Sequence, residues 1–406
     1  LSVHFCLHPR EMPVQRQLVL AVYVPTLILA FCTGLLIPIL PIFVKEEFVT
    51  SYGIIGLVLA AGAIGMIIGD VPAGALVGRL GQKRSMLIGI AGMALGTLAF
   101  TWASSVYELI VYSIFVGFSS TLWNISRHAY LAEAAPSSKR GRAIAIFGGI
   151  NRAGSFVGPI VGGALGGWMG LRAPFFLYAA LALIALLFPI LYLPESGVRA
   201  PSRGGIRGHT GHLWQVLREN YRVLFTAGSG QLFAQMIRSG RGIVVPLFAA
   251  DILGLDVQQI GLIVGLSSAV DMSMFYPAGY VMDRFGRKFA YVPSFAIQAI
   301  GMALIPFTSS FSTLLLATGL IGFGNGLGSG TMMTLGADLA PLDTRSEFLG
   351  LWRLIGDGGA MGGPIVVGWV AGLIGLAPAT FVIAGVGLAA ALALGTLVPE
   401  TLRRQT

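Results

Sequence analysis

Gly74-Ala75-Leu76-Val77-Gly78-Arg79-Leu80-Gly81-Gln82-Lys83 returns later in the chain as Gly279-Tyr280-Val281-Met282-Asp283-Arg284-Phe285-Gly286-Arg287-Lys288. The offset is 205 residues and it does not drift: Gly158-Pro159 recurs as Gly363-Pro364, and Pro194-Glu195 recurs as Pro399-Glu400. A gapless duplication on this scale implies two similarly folded halves related by an approximate two-fold axis. In a membrane, such halves usually bracket a central site.

The composition says that the solvent is lipid. Of 406 residues, 55% are hydrophobic and 11% charged, and the mean hydropathy is +0.82, whereas a water-soluble domain carries about a quarter charged residues. An apolar run of roughly 20 residues crosses the hydrocarbon as a helix. Twelve such spans are predicted: 18–43, 53–78, 85–104, 108–132, 141–168, 173–193, 222–249, 257–281, 289–307, 312–337, 346–374 and 378–398. Six fall in each repeat. The fold expected is an all-α membrane protein with twelve transmembrane helices in two pseudo-symmetric six-helix bundles. The organisation is then a tail over 1–17, a bundle over 18–193, a linker over 194–221, a second bundle over 222–398 and a tail over 399–406. The runs are too long and too continuous for the alternating segments of a membrane barrel, about ten residues each.

The net charge of +9 suggests nucleic acid until the basic residues are placed. Only Lys45 and Arg172 fall on one side of the predicted membrane, and Arg127, Arg152, Arg238, Arg241 and Arg353 lie within spans; every other Lys and Arg falls in the two tails and the loops of the opposite side. By the positive-inside rule both termini are cytoplasmic. The partner implied is a lipid bilayer, the cytoplasmic (inner) membrane, and not nucleic acid. Cys6 and Cys32 are too few for a disulfide framework. Residues 1–16 lack a signal-peptide core, and with Met12 just ahead of the first span, residues 1–11 are expected to be an extension from start-site assignment. The linker carries Pro201-Ser202-Arg203-Gly204-Gly205 and a His209, His212 pair; a flexible basic loop is expected there, since no Cys or acidic partner completes a metal site. No cofactor is expected.

The loop from Gly279 to Lys288 follows G-x-x-x-D-R-x-G-R-K, and in this the chain resembles the major facilitator superfamily, over nearly its whole length. The resemblance implies a cytoplasmic gate, with Asp70, Arg79, Asp283, Arg284 and Arg287 as its residues. Physically, glycine makes a short turn while Asp and Arg pair with neighbouring helix ends. The first copy is degraded, because Gly78 stands for the Asp and Gln82 for an Arg, so the second half must supply more of the latch. Span 5 carries Gly154-Ser155-Phe156-Val157-Gly158-Pro159-Ile160-Val161-Gly162-Gly163, similar to the family's antiporter motif; the related run from Gly359 to Gly368 also allows a packing device common to both halves. The Arg that the family carries early in span 4 is Ser113 here. In span 10, Gly322, Gly324, Gly326, Gly328 and Gly330 mimic a dinucleotide fingerprint, but no strand precedes them, so close helix packing is expected.

Ionisable groups at bilayer depth are costly unless paired or wetted, and so mark candidate sites. Arg152 and Asp357 occupy equivalent positions of the two repeats. The family's arrangement sets span 5 of one half against span 8 of the other, which directs Arg152 toward Asp271. Asp357 lies one turn after Arg353 and can pair with it. Asp271, Asp357, Arg152 and Arg353 are therefore the proton-coupling candidates, with a static ion pair as the alternative for each. In span 7, Gln231, Gln235, Arg238 and Arg241 form a single polar stripe; in span 4, Trp123, Asn124 and Arg127 share a face with Ser120, and Asn325 in span 10 is the repeat equivalent of Ser120. The resemblance has spans 1, 4, 7 and 10 lining the cavity, so these are the substrate-binding candidates, with packing as the alternative for Trp123.

The expected function is a secondary transporter, not an enzyme, moving a small organic solute by alternating access with protons as the coupling ion, a multidrug-type exporter acting as a monomer. The alternative is an organic-anion uptake or exchange carrier built on the arginines, whose excess over deep Asp favours anions. A membrane-embedded acyltransferase would need a nucleophile beside a base, and His4, His8, His128, His209 and His212 have no convincing Ser or Cys partner.

Overall fold

The computed structural model describes residues 17–48, 50–134, 140–194 and 214–402. Among them all regular structure is helical. In lipid each backbone N–H and C=O must be satisfied within the segment, which an α-helix does on its own.

In chain order the helices are α1 (Val24–Phe48, entered through a π-helical turn, Val19–Tyr23), α2 (Tyr52–Leu80), α3 (Gln82–Ala99), α4 (Val106–Ala134), α5 (Arg140–Met169), α6 (Ala173–Tyr192) and α7 (Tyr221–Asp251). Then come α8a (Val257–Ser273), α8b (Phe275–Arg284), α9 (Lys288–Leu304), α10a (Phe311–Leu327), α10b (Thr331–Leu339), α11 (Arg345–Ile374) and α12 (Leu376–Leu397). Among the described residues ten spans are long and apolar enough to cross a membrane; α5 and α7, 30 and 31 residues long, are the further long helices.

Three features differ from the expected spans. The eighth and tenth are each broken in two, and a short helix occupies 214–219 inside the predicted linker. Pro277 accounts for the first break: it has no N–H to return to Ser273, and its ring crowds that carbonyl, so α8a ends at Ser273. The second falls at Gly330, whose φ of 72° is left-handed, a conformation that glycine adopts without penalty. The start-site segment with His4, Cys6, His8 and Met12, the linker pair His209 and His212, and the tail beyond Leu402 lie outside the described residues.

The chain forms two compact units, residues 1–39 with 64–201 and residues 40–63 with 202–406. In the first, Gly158 and Gly162 of α5 lie directly on α1: a Cβ would stand 2.5 Å from the Phe31 carbonyl oxygen and 2.2 Å from that of Leu35. In the second, a Cβ at Gly363 of α11 would stand 2.5 Å from the Met236 carbonyl oxygen on α7. Gly158 and Gly363, and likewise Phe31 and Met236, are repeat equivalents, so the duplicated sequence builds a duplicated crossing. Small residues allow this approach where no hydrophobic force distinguishes lipid from protein.

Residues 40–63 belong by sequence to the first repeat but by contact to the second unit. Gly56 explains part of this, since a Cβ there would sit 2.4 Å from the Pro364 carbonyl oxygen. The other part is polar: Lys45 pairs with Asp251 at the end of α7, and the Tyr52 hydroxyl donates to the other Asp251 oxygen at 2.7 Å.

Candidate functional site

The alternating glycines of α10a position the site. Gly322 and Gly326, four apart, share one face. A Cβ on them would stand 2.2 Å from the Ser267 carbonyl oxygen and 2.4 Å from that of Asp271, both on α8a. Gly324 and Gly328 share another face and meet α9 at Ser294, with corresponding distances of 2.8 Å to its carbonyl oxygen and 2.1 Å to Oγ. α10a is thus wedged against two neighbours, and Asn325, buried between these faces, is brought within reach of α7 and α8a together.

Asn325 joins a cation to a carboxylate. Arg238 Nε donates to Asn325 Oδ1 at 3.0 Å, and Asn325 Nδ2 donates to Asp271 Oδ2 at 3.0 Å. Arg238 also donates through Nη1 to Gln235 Oε1 at 3.4 Å and through Nη2 to the Gly328 carbonyl at 3.1 Å, and its guanidinium carbon lies 5.3 Å from the centre of the Phe295 ring. The Gly328 contact sets a positive charge at the C-terminal end of α10a, where the helix dipole welcomes it. Asp271 occupies the last turn of α8a, where the dipole opposes a negative charge, and the Asn325 amide offsets that. Both helix breaks therefore carry a charged side chain, and the two are linked by one amide.

The rest of the α7 stripe divides. Gln231 is buried against Gly356 of α11, and its Oε1 has no hydrogen-bond partner among the described residues. Arg241 is half-buried one turn beyond Arg238. On α11, Arg353 Nε lies 3.5 Å from Asp357 Oδ2, so the one-turn spacing does bring these two together.

The span 4 candidates form their own group in the first unit. Trp123 is 2% exposed, in the hydrophobic core with Ile90, Met93 and Tyr178. Arg127 stacks over its ring at 5.4 Å and donates to Asn124 Oδ1 at 2.5 Å, while Asn124 Nδ2 donates to Ser120 Oγ at 3.3 Å. Trp123 is a platform for the arginine more than an open surface. Arg152 is half-buried on α5, in the first unit, whereas Asp271 is in the second.

Of the gate candidates, Arg287 pairs with Asp283 at 2.9 Å and with Asp338 at 3.3 Å. Arg284 donates to the Tyr280 hydroxyl and stacks on its ring. In the first repeat, Asp70 is half-buried and Arg79 exposed.

Two polar groupings escaped the sequence reading. One is the Lys45, Tyr52 and Asp251 cluster, for which the only signal was that Lys45 is a rare cation on its side of the membrane. The other is Glu400, which accepts from the backbone N–H of Arg287 at 2.9 Å and of Lys288 at 3.0 Å and so caps α9. Gly286, at φ 125°, leaves the room: a Cβ would stand 2.6 Å from Glu400 Oε2. The repeated Pro-Glu dipeptide was the visible trace of it. Burial alone would raise the Glu400 pKa, but the backbone N–H groups of Leu402, Lys288, Arg287 and Thr401 together outweigh burial and hold it below its ordinary value. Among the described residues no cluster of His, Cys, Asp and Glu is placed to hold a metal ion.

Residues 23–239 and 227–405 each match the model of the Major Facilitator Superfamily, one match per repeat. The chain is 23% identical over 363 residues to an uncharacterized MFS-type transporter of Methanocaldococcus jannaschii, covering 88% of this chain and 92% of that protein. It is 27% identical over 289 residues to Multidrug resistance protein 2 of Bacillus subtilis, covering 70% of this chain and 72% of the relative. Among solved structures, that of a D-xylose-proton symporter superposes with a TM-score of 0.75 at 18% identity, covering 96% of this chain and 99% of the other; at that identity the likeness is one of fold.

Proposed function

Since the chain belongs to the Major Facilitator Superfamily, a family of multi-pass membrane transporters and not enzymes, we propose that it is a proton-coupled exporter of small organic solutes of the multidrug type, working by alternating access. The observation that carries this is the linked pair at the two helix breaks, Asp271 and Arg238 joined through Asn325. Discontinuous spans with charged groups at their ends are a recurring way to build substrate and ion sites in transporters. In this reading Asp271 carries the proton, and Gln235 and Arg241 face the solute beside Arg238, while Gln231 stays packed against α11. Arg152, Arg353 and Asp357 supply the charges that a protonation step rearranges. Asp283, Arg284 and Arg287, with Asp70 and Arg79, form the cytoplasmic latch, and both termini are cytoplasmic. The unit that transports is a single chain in the lipid bilayer.

The multidrug-resistance relative supports export. The organic-anion alternative loses support from the same geometry, because Arg238 directs three donors to Asn325, Gln235 and Gly328, and Arg127 is engaged by Asn124 and Trp123. One proton moved through 100 mV supplies about 2.3 kcal/mol, enough to drive accumulation without a nucleotide.

Ethidium uptake into everted membrane vesicles tests the proposal. Uptake driven by an imposed pH gradient is expected in the wild type, lost when the gradient is collapsed, and lost in Asp271→Asn at unchanged expression. Normal pH-driven uptake in Asp271→Asn removes that residue from the mechanism.

A further inference from the structure

Asp251 is poorly served by its own helix. It is the last residue of α7, where the carbonyl end of the helix dipole opposes a negative charge, and its side chain is only 11% exposed. Two groups from elsewhere in the chain make the position tenable. The Lys45 ammonium pairs with one carboxylate oxygen, and the Tyr52 hydroxyl donates to the other at 2.7 Å. The same ammonium lies 5.7 Å from the centre of the Tyr52 ring, so the three side chains close on one another. Lys45 is itself in the last turn of α1, a place that favours a cation; one ammonium thus answers the carbonyl ends of two helices.

The duplication does not repeat this cluster. Ala250 stands at the counterpart of Lys45 and Glu46 at the counterpart of Asp251; 250−45 and 251−46 both equal 205. The glycine crossings within each bundle, Gly158 on α1 and Gly363 on α7, are present in both repeats. A contact made once is therefore outside the packing solution that the two halves have in common. Its seat is also of a separable kind. Beside it α2 meets α11 backbone to backbone: Gly56 lies on the Pro364 carbonyl, and a Cβ at Gly368 would stand 2.5 Å from the carbonyl oxygen of Tyr52. Backbone laid on glycine parts there without side chains being drawn from between one another, and the polar cluster is the directional bond across that seat.

Resting on the alternating-access reading, in which the end opposite the termini is the outer one, we propose that Lys45, Tyr52 and Asp251 form an outer latch. They hold residues 40–63 as a strap against α7 and α11, and so keep the outer ends of α1, α2, α7 and α11 together until the transport cycle releases them. Opening lifts the strap, uncovers the faces of Gly56 and Gly368, and gives Lys45 and Asp251 to water. A partly exposed ion pair suits the task, because it is weak enough to break in every cycle, while its two oxygens and two donors fix the register in which it re-forms. Removing one partner leaves the other without its counter-charge in the latched state and solvated in the open one, so the open state gains. The effect is larger for loss of Lys45, since Asp251 is the more buried partner and sits against its helix dipole.

Thiol labelling of the full chain in right-side-out membrane vesicles tests this. The parent carries Cys6→Ser, Cys32→Ser and Ala60→Cys; Ala60 is buried, one turn beyond Gly56 on the same face of α2, and an impermeant maleimide added outside reads how often the seat opens. Lys45→Met should raise the labelling rate about fivefold, the population shift that a partly exposed pair carries, and Asp251→Asn should raise it by less. Combining Lys45→Asp with Asp251→Lys should bring the rate back toward that of the parent, because the exchange restores the pair; a loss of packing alone is not reversed by it. Parental rates in both single variants, or an exchange that labels as fast as Lys45→Met, overturn the latch and leave alternating access standing. No labelling of a parent that expels preloaded ethidium under an outside-acid pH gradient overturns opening at this end, and the latch with it. Tyr52→Phe, which loses one hydroxyl and keeps the ring, should label about twofold faster and carries the same two outcomes if the charge variants do not fold.

Discussion

Replacing Gly326 by alanine should separate two helices by about the width of one bond and cost the protein both stability and coupling. The added Cβ would stand 2.4 Å from the Asp271 carbonyl oxygen, 2.6 Å from Met274 Cβ and 3.0 Å from Asp271 Cα. Two of these are backbone atoms that no rotamer change can move, so α8a and α10a must part by about 1 Å to reach an ordinary contact distance. That displacement stretches the Asn325 to Asp271 bond from 3.0 Å to about 4 Å, past hydrogen-bond range. Overpacking of this kind costs about 1–3 kcal/mol. Alanine is intrinsically about 1 kcal/mol better than glycine in a helix, which masks part of the loss, so the proper reference is Gly319→Ala. Gly319 lies in the same helix with no heavy atom within 4 Å of its added Cβ, and it receives the same propensity gain without the clash. The apparent Tm of purified Gly326→Ala should therefore fall several degrees below that of Gly319→Ala, at about 2–4 °C per kcal/mol. Its pH-driven ethidium uptake in everted vesicles should be lost while Gly319→Ala retains it. If the two variants melt together and transport alike, the backbone contact between α8a and α10a does not set the site.

Three further outcomes are expected. Trp123→Ala should lower stability by about 3–5 kcal/mol, as for other fully buried aromatics, and so reduce folded protein in the membrane; a well-folded variant with only a weakened solute affinity would return Trp123 to the binding surface. Glu400→Ala should cost about 0.5–1 kcal/mol as the loss of a cap. Because the folded-state pKa of Glu400 is lowered, its stabilisation in the wild type is fully present above the unfolded carboxylate pKa and vanishes as pH falls through the folded value; melting curves on the acid side should converge for the two proteins, and curves that stay parallel would contradict the cap. A double-mutant cycle on Lys45→Ala and Asp251→Ala should give a coupling of about 1 kcal/mol, since Lys45 is partly exposed, read from thermal melts in nanodiscs; zero coupling would leave the pair without energetic weight.

Helical class, duplication and family were legible in the chain itself, and for physical reasons. A bilayer forces long apolar helices, so hydropathy alone located most of the helices to within a few residues, although not the breaks in the eighth and tenth spans. A constant offset survives because both halves solve the same packing problem, as Gly158 on Phe31 and Gly363 on Met236 do. The pairing of Arg353 with Asp357 was also legible, being a matter of one helical turn.

Tertiary structure decided what depends on contacts far apart in sequence. The polar stripe on the seventh span was visible, but that Arg238 would turn to Asn325, 87 residues away, and leave Gln231 buried against α11, was not. Nor was the partition of 40–63, because nothing local in Lys45 or Tyr52 points to Asp251, 206 and 199 residues on. The glycines of the tenth span announced close packing without naming the neighbours. Sequence periodicity fixes which face of a helix a residue occupies; which helix meets that face is set only when the chain is folded.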